Sequence, residues 1–292
     1  MTAFKSLLVP VDFTCNTELG VKKAIDMADK QGCTICLLHV LKSEPKPTNG
    51  FPEKLIKLRE LKLIIEISVP NVSVDLHIIK GKSVEKTIIE TALSLKTELI
   101  IIARHSGKKW FSFGKKISPA RLAKKTLCAV LTLKPGSENS EIKSIVVPFR
   151  SHIPKRKLDV LFHLARKKNT TIYLVGMQNE LKEFELGDSS VTHTLIETYR
   201  LLKEDVNCQI VHKLITGNNI ARSMLRFAES VNADVLFANP DEMNISSFSG
   251  LDISDMLDSD SKMQLVTVEP EAYHSNNRTL KMMATNCSKQ NI

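Results

Sequence analysis

The feature that most constrains the fold of this chain is that its second half repeats its first. The stretch KSLLVPV at 5–11 returns as KSIVVPF at 143–149, and ELIIIA at 98–103 returns as DVLFAN at 234–239. Three further matches follow the same order: TICLLHV with TIYLVGM, Gly81 with Gly217, and AVLTLKP with QLVTVEP. The offset shrinks only from 138 residues (5 to 143) to 135 residues (129 to 264). Ordered matches at a nearly constant offset indicate an internal duplication. We therefore predict a first domain over 1–137, a second over 143–270, and a polar tail over 271–292.

Within each half, short apolar runs rich in β-branched residues alternate with segments of helical periodicity. In the first half we predict strands at 5–11, 34–41, 72–79, 99–103 and 128–133, and helices at 17–30, 52–68, 84–95 and 118–125. We expect Ser83 to cap the third of these helices and His39 to be a core residue of the second strand. Strands that are apolar on both faces and alternate with helices indicate a parallel sheet covered on both sides. The predicted fold class is α/β, with two duplicated domains that each hold a five-stranded, mostly parallel sheet.

The basic charge of the chain is concentrated in one stretch. The formal net charge is +9, but residues 99–137 contain nine Lys and Arg and no Asp or Glu. We call residues 104–125 the basic loop; it follows a predicted buried strand, where α/β proteins bind anions. Such a local excess is weak evidence for nucleic acid, which we do not expect as a partner. The aromatic residues Trp110, Phe111 and Phe113 in the loop could stack on bases or anchor the loop to the protein.

Several classes of function find little support in the sequence. No apolar run approaches the roughly 20 residues that span a bilayer, and the first residues lack a signal-peptide core, so we expect a cytoplasmic protein without a membrane partner. The CxxC formed by Cys33 and Cys36 enters a strand, which favours two core residues over a redox pair. No second cysteine or histidine pair completes a zinc site, so no metal is expected. Neither a P-loop nor a nucleophile elbow is present, and we expect no enzyme activity.

Four stretches of the first half resemble the universal stress protein family. They are VPVDF with Asp12, LLHV ending at Val40, GKSVEKTIIETA around Gly81, and KKTLCAVLTL at the last strand. The chain as a whole resembles a tandem member of that family. The resemblance implies a Rossmann-like (adenine nucleotide alpha hydrolase-like) fold with helices on both faces of each sheet. It also implies pairing through the last strands, which would make the two halves an intramolecular pseudo-dimer; a homo-oligomer remains an alternative.

Family members that bind ATP resemble one another in a phosphate loop: Gly, two residues, Gly, nine residues, Gly, then Ser or Thr. Glycines let backbone N–H groups approach phosphates, and the hydroxyl caps the next helix. Here the four positions hold Ala103, Ser106, Lys116 and Ile117, and none of them matches. The nearby Gly107, Gly114 and Ser118 could form a shifted loop, while the resemblance assigns Asp12 and Val40 to the nucleoside. The candidate nucleotide-binding residues are Asp12, Val40, Ala103, Ser106, Gly107, Gly114 and Ser118.

The second half has lost the pattern. Arg150 stands in the place of Asp12, and residues 241–260, which we call the acidic loop, hold six acids, no base and a lone Gly250. Because acidic side chains repel phosphate, we expect no nucleotide in this half. We hypothesise that the basic and acidic loops are electrostatic partners, within one chain or between chains; two solvated loops of opposite charge are the alternative.

The sequence therefore predicts a non-enzymatic stress-response protein with a degenerate phosphate loop and no cofactor. One alternative is an ATP-binding member that uses the first half alone. Another is a polyanion-binding protein that uses the basic loop. Saturable nucleotide binding would distinguish the first alternative, and a steep loss of affinity with salt would distinguish the second.

Overall fold

The structure of the chain is a computed structural model, and its secondary structure covers both halves of the sequence. The residues that it describes are 4–28, 32–41, 50–103, 117–137, 141–149, 153, 155–165, 169–178, 196, 198–200, 202–203, 208–216, 220–239 and 262–269. The first half contains β1 (Ser6–Pro10), α1 (Cys15–Met27), β2 (Thr34–Leu41), α2 (Gly50–Ser68), β3 (Ser73–Lys80), α3 (Val84–Ser94), β4 (Leu99–Ala103), α4 (Pro119–Thr126) and β5 (Ala129–Leu133). The second half contains β6 (Ser144–Phe149), α5 (Lys155–Leu164), β7 (Thr171–Gln178), β8 (Gln209–Thr216), α6 (Ile220–Ser230), β9 (Val235–Ala238) and β10 (Gln264–Thr267).

All ten of these strands belong to one sheet. Their order is β3-β2-β1-β4-β5-β10-β9-β6-β7-β8. The strands β6 to β10 correspond to β1 to β5, and they appear in the opposite order across the sheet. Within each half the neighbouring strands are parallel. The predicted α/β class with a mostly parallel sheet is confirmed. The two five-stranded sheets expected from the sequence are joined into a single ten-stranded sheet.

The two halves meet where β5 and β10 pair antiparallel. Leu265 pairs with Thr132, and Val266 pairs with Leu131. The side chains of Leu131 and Val266 are almost completely buried in one core cluster that continues through both halves. The last strands of the halves therefore form the junction, as the family resemblance implied.

Helices cover both faces of the sheet. On one face, α1, α2 and α5 pack on a core shared by the two halves. On the other face, α3 and α4 cover a core of the first half, and α6 covers a separate core of the second half. Buried apolar area on both faces of the parallel strands is the main source of stability for this kind of sheet.

Short polar side chains begin the helices that matter for the site. Thr14 caps α1 by accepting from the backbone N–H of Asn16. Ser83 caps α3, as predicted, and Ser118 caps α4 just before a proline that suits the first helical turn. The start of α1 at Cys15 lies two residues before the predicted one.

Helix α2 is less one-sided than its sequence predicted. Leu58 and Ile65 are fully buried against the sheet, but four large apolar side chains on the helix are more than half exposed. They are Ile56, Leu63, Ile64 and Ile67. No helix among the described residues is long and apolar enough to cross a membrane.

Candidate functional site

The candidate site lies at the edge of the sheet where β1, β2 and β4 end. The chain proceeds from β1 to β2 on one side, whereas β4 lies on the other side, so the strand order reverses here. Asp12 follows β1, Val40 is near the end of β2, and Ala103 ends β4. Parallel sheets bind ligands in the crevice at such a reversal. Three other predicted residues lie outside the described part of the chain: Ser106, Gly107 and Gly114.

One oxygen of the Asp12 carboxylate orders the turn into α1. Its Oδ1 accepts hydrogen bonds from Thr14 N (3.1 Å), Thr14 Oγ1 (2.6 Å) and Thr17 Oγ1 (3.1 Å). The same Thr17 oxygen accepts from the backbone N–H of Asp12 (3.1 Å) and of Phe13 (3.0 Å). The second oxygen, Oδ2, is buried and has no hydrogen-bond partner. Asp12 therefore has a structural role, and it also keeps one acceptor that the protein does not use.

Phe13 and His39 form the wall beside Asp12. Phe13 has a left-handed backbone (φ 60°), and its ring lies 4.7 Å from the ring of His39. The Nδ1 atom of His39 lies 2.8 Å from the carbonyl oxygen of Val11, whereas its Nε2 is buried without a partner. Burial lowers the pKa of His39, with a further contribution from Lys54, against the opposing hydrogen bond to Val11. Sequence reasoning found His39 as a core residue but missed Phe13.

Gly81 brings α3 close to the end of β2. Its backbone N–H donates to the carbonyl of Leu41 (2.9 Å). A Cβ at this position would collide with Thr87 Oγ1 and would lie 3.4 Å from a methyl carbon of Val40. The glycine that opens the GKSVEK stretch is therefore needed for packing next to Val40, which is itself buried.

The N-terminus of α4 is occupied by a carboxylate from α3. Glu85 Oε2 accepts from the backbone N–H of Ser118 (2.9 Å), and Glu85 Oε1 accepts from the Arg121 guanidinium (2.8 Å). The Ser118 hydroxyl accepts from Arg121 N (3.2 Å), which completes the cap. The Glu85 side chain is 12% exposed, and that of Arg121 is 64% exposed. Because a helix N-terminus attracts anions, Glu85 fills the position where a phosphate would otherwise be favoured.

The charged loops predicted to pair with each other lie mostly outside the described residues, namely 104–116 of the basic loop and all of the acidic loop. Their pairing stays a prediction, as does the place of Arg150. Within the described end of the basic loop, the partner of Arg121 is Glu85 of the same half.

In the second half, a lysine occupies the corresponding edge of the sheet. Lys157 in α5 is completely buried, and it falls at the repeat position of Leu19. Its Nζ donates to the carbonyl of Pro148 and to Asn239 Oδ1 (3.2 Å), at the ends of β6 and β9. The two halves therefore present different chemistry at equivalent edges. A lysine at a repeat position that is apolar in the other half is the signal that sequence reasoning overlooked.

The cysteines of the CxxC stretch lie on opposite faces of the sheet. Cys33 belongs to the core shared by both halves, and Cys36 belongs to the core under α3 and α4. Burial, reinforced by Asp75, raises the pKa of Cys36 to about 11, and burial also raises the pKa of Cys128 and Cys208. These thiols are protonated at neutral pH, which agrees with the interpretation of the pair as core residues.

The fold defines an α/β protein in which Asp12, Val40 and Ala103 lie where the strand order of the first half reverses. The sequence profile of the Universal stress protein family matches residues 3–134. Over these residues, the first half of the chain is similar to the universal stress protein family. A sequence search among curated proteins finds no match.

Solved structures share the fold over nearly the whole chain. A universal stress protein from Archaeoglobus fulgidus DSM 4304 is 14% identical, with a TM-score of 0.59, covering 91% of this chain and 97% of its own. A functionally unknown protein from Pseudomonas aeruginosa PAO1 is 15% identical, with a TM-score of 0.58, covering 97% of this chain and 98% of its own. The cytoplasmic domain of a prokaryotic cation chloride cotransporter is 11% identical, with a TM-score of 0.55, covering 91% and 96%. At these identities the likeness establishes the fold and leaves the ligand open.

Proposed function

We propose that this protein is a non-enzymatic stress-response protein whose first half binds ATP weakly or not at all. The observation that carries the proposal is the Glu85 carboxylate at the N-terminus of α4. Ser118 is the hydroxyl residue nearest to the family's phosphate loop, and both its backbone N–H and its hydroxyl already have partners within the protein.

An incoming phosphate would have to displace this carboxylate. Two negative groups cannot share one helix N-terminus without repulsion, and the largely buried Glu85 is poorly screened by solvent. Ala103 adds a second obstacle, because its β-carbon stands where ATP-binding members have a glycine that lets the backbone approach the phosphate. Both obstacles act on the phosphates and leave the nucleoside side of the crevice unchanged.

The absence of enzyme activity is also part of the proposal. The thiols of Cys36, Cys128 and Cys208 are buried and have raised pKa values, which makes them poor nucleophiles.

A second candidate function is binding of ATP or a related nucleoside ligand by the first half alone. The unpartnered Oδ2 of Asp12 favours it, because a buried carboxylate oxygen gains from a donor such as a ribose hydroxyl. His39, whose ring packs on Phe13 next to Asp12, also has a buried Nε2 without a partner.

Isothermal titration of the full chain with ATP tests the proposal, together with mass spectrometry of any small molecule released when the purified protein is denatured. We expect no released nucleotide and no saturable heat at millimolar ATP. Micromolar binding that is abolished by Asp12→Ala would overturn the proposal in favour of the second candidate. Asp26→Ala, on the same half but away from the β1 end, serves as the control for nonspecific charge effects.

A further inference from the structure

Three potential metal ligands meet on neighbouring strands at the outer edge of the first half. They are Cys36 on β2 and Asp75 and His77 on the edge strand β3. One ligand atom from each lies within 4.8 Å of the others. This cluster lies on the α3 side of the sheet and is separate from the crevice at the end of β1.

The strand register explains why the three side chains meet. Cys36 pairs directly with Asp75 across the parallel β2–β3 ladder. Side chains two residues apart on a strand point to the same face, so His77 projects from the same side as Asp75. The arrangement depends on the sheet itself, with all three ligands on regular strands.

The histidine has an unused nitrogen. His77 Nε2 is buried and has no hydrogen-bond partner, although buried polar atoms are nearly always satisfied by protein or water. An orphaned imidazole nitrogen next to a thiol and a carboxylate is the donor set that a borderline divalent ion prefers.

We propose that Cys36, Asp75 and His77 bind a divalent zinc-like metal ion. A thiolate, an imidazole and a carboxylate provide three ligands, and water takes the fourth position of a tetrahedral site. The bond lengths of zinc to these atoms place its ligands roughly 3.5 Å apart. The ligand atoms now lie within 4.8 Å of one another, so a tetrahedral site requires side-chain rotation of exposed Asp75 and half-buried His77. On binding, the metal ion replaces the thiol proton of Cys36, which is released to water.

The cluster is accessible from solvent, and metal binding there would stabilise the edge of the sheet. Asp75 is exposed, so an ion reaches the cluster from the open edge of β3. Because β3 is an edge strand that pairs only with β2, a metal ion bound by both strands would cross-link the edge strand to its neighbour. We therefore expect metal binding to stabilise the first half in addition to occupying the site.

The duplication provides an internal control. The repeat register places Tyr173, Val211 and Lys213 of β7 and β8 at the positions of the three ligands. None of these side chains is a zinc ligand, and the lysine would repel a cation. The proposal therefore requires one ion for each chain at this site. The expectation of no metal rested on the missing second cysteine or histidine pair along the chain, whereas two of the three ligands here come from the neighbouring strand.

Metal binding by the full chain tests the proposal, with Zn²⁺ measured by equilibrium dialysis and Co²⁺ by its optical spectrum. We expect one saturable Zn²⁺ per chain and a thiolate-to-cobalt charge-transfer band with visible bands of tetrahedral Co²⁺. Cys36→Ser and His77→Gln should each abolish binding of this one Zn²⁺. Zn²⁺ should also raise the melting temperature of the wild type but not that of His77→Gln. Cys33→Ser, a buried thiol on the opposite face, is the matched control and should retain the ion.

Circular dichroism establishes that each variant is folded. If the buried Cys36→Ser does not fold, His77→Gln and Asp75→Asn decide the question, because both residues lie at the solvent side of the cluster. The proposal is overturned if the wild type shows no saturable metal, or if His77→Gln and Asp75→Asn bind as the wild type does.

Discussion

Glu85→Ala should lower the free energy of unfolding by more than replacement of an exposed glutamate on the same helix. The Glu85 carboxylate accepts a hydrogen bond from the backbone N–H of Ser118. In the variant this N–H would be left without a partner at a half-buried helix start, which costs about 1 to 2 kcal/mol. Loss of the negative charge from the N-terminal ends of α3 and α4 adds about 0.3 to 1 kcal/mol. The ion pair with Arg121 adds ~0 to 1 kcal/mol, since that arginine is 64% exposed. We expect a total of about 1 to 4 kcal/mol.

Urea unfolding followed by circular dichroism measures the effect, with Glu90→Ala as the matched control. Glu90 lies on the same helix, is 62% exposed, and makes only an i,i+4 pair with Lys86 at 3.6 Å. Its replacement should cost no more than about 0.5 kcal/mol. Sulfate should then restore part of the stability of Glu85→Ala beyond its general effect on Glu90→Ala, because the vacated helix terminus can bind the anion.

Equal losses for the two variants would show that Glu85 does not cap α4. The absence of specific anion rescue would show that the vacated position does not accept phosphate-like groups. Either result would remove the main support for the proposal that this carboxylate excludes ATP.

Three further expectations concern the surroundings of the site. Gly81→Ala should destabilise the first half by about 1 to 3 kcal/mol through collision with Thr87, and adding Thr87→Ala should recover part of that loss in a double-mutant cycle of unfolding free energies. Because burial lowers the pKa of His39 in the folded state, stability should fall as pH drops below about 6.5, where the unfolded state takes up a proton. His39→Gln should make the free energy of unfolding, measured by urea titration, less dependent on pH between about 5 and 7. An unchanged pH dependence in this variant would contradict the expectation. Thiol alkylation mapped by mass spectrometry should modify exposed Cys15 long before buried Cys128, whose pKa is raised by burial, and equal rates would count against the described core.

The sequence predicted the buried strands well because their signals are local. The bounds of β2 (Thr34–Leu41) and β4 (Leu99–Ala103) agree with the prediction, since β4 is an uninterrupted apolar run and β2 is apolar apart from its first residue and His39. Ser83 was also recognised as a cap from its neighbours alone. Repeat matches carried the same information to the second half, where β6 and β7 appear at the expected positions.

The contacts that decide the chemistry were not local. Glu85 and Ser118 lie 33 positions apart along the chain, and no periodicity indicates that their helices meet. The position of Lys157 against Asn239 spans 82 positions. The structure places Asp12 and Val40 at one sheet edge, whereas their assignment to a nucleoside stays a prediction. Sequence reasoning could not tell which oxygen of Asp12 would be bonded, because that depends on the hydroxyl orientation of Thr17 in the folded turn.

The antiparallel pairing of β5 with β10 joins two halves that are also linked through the backbone. Association of separate subunits weakens on dilution, but a joint within one chain forms at a fixed effective concentration set by the linker. The pairing should therefore persist at any protein level in the cell. Because each chain contains one copy of each half, a substitution in one half is not automatically duplicated across the joint, as it would be in a homodimer. That freedom lets a buried Lys157 stand in one half at the repeat position that a buried Leu19 occupies in the other, so that a single molecule holds two unlike sheet ends in a fixed ratio.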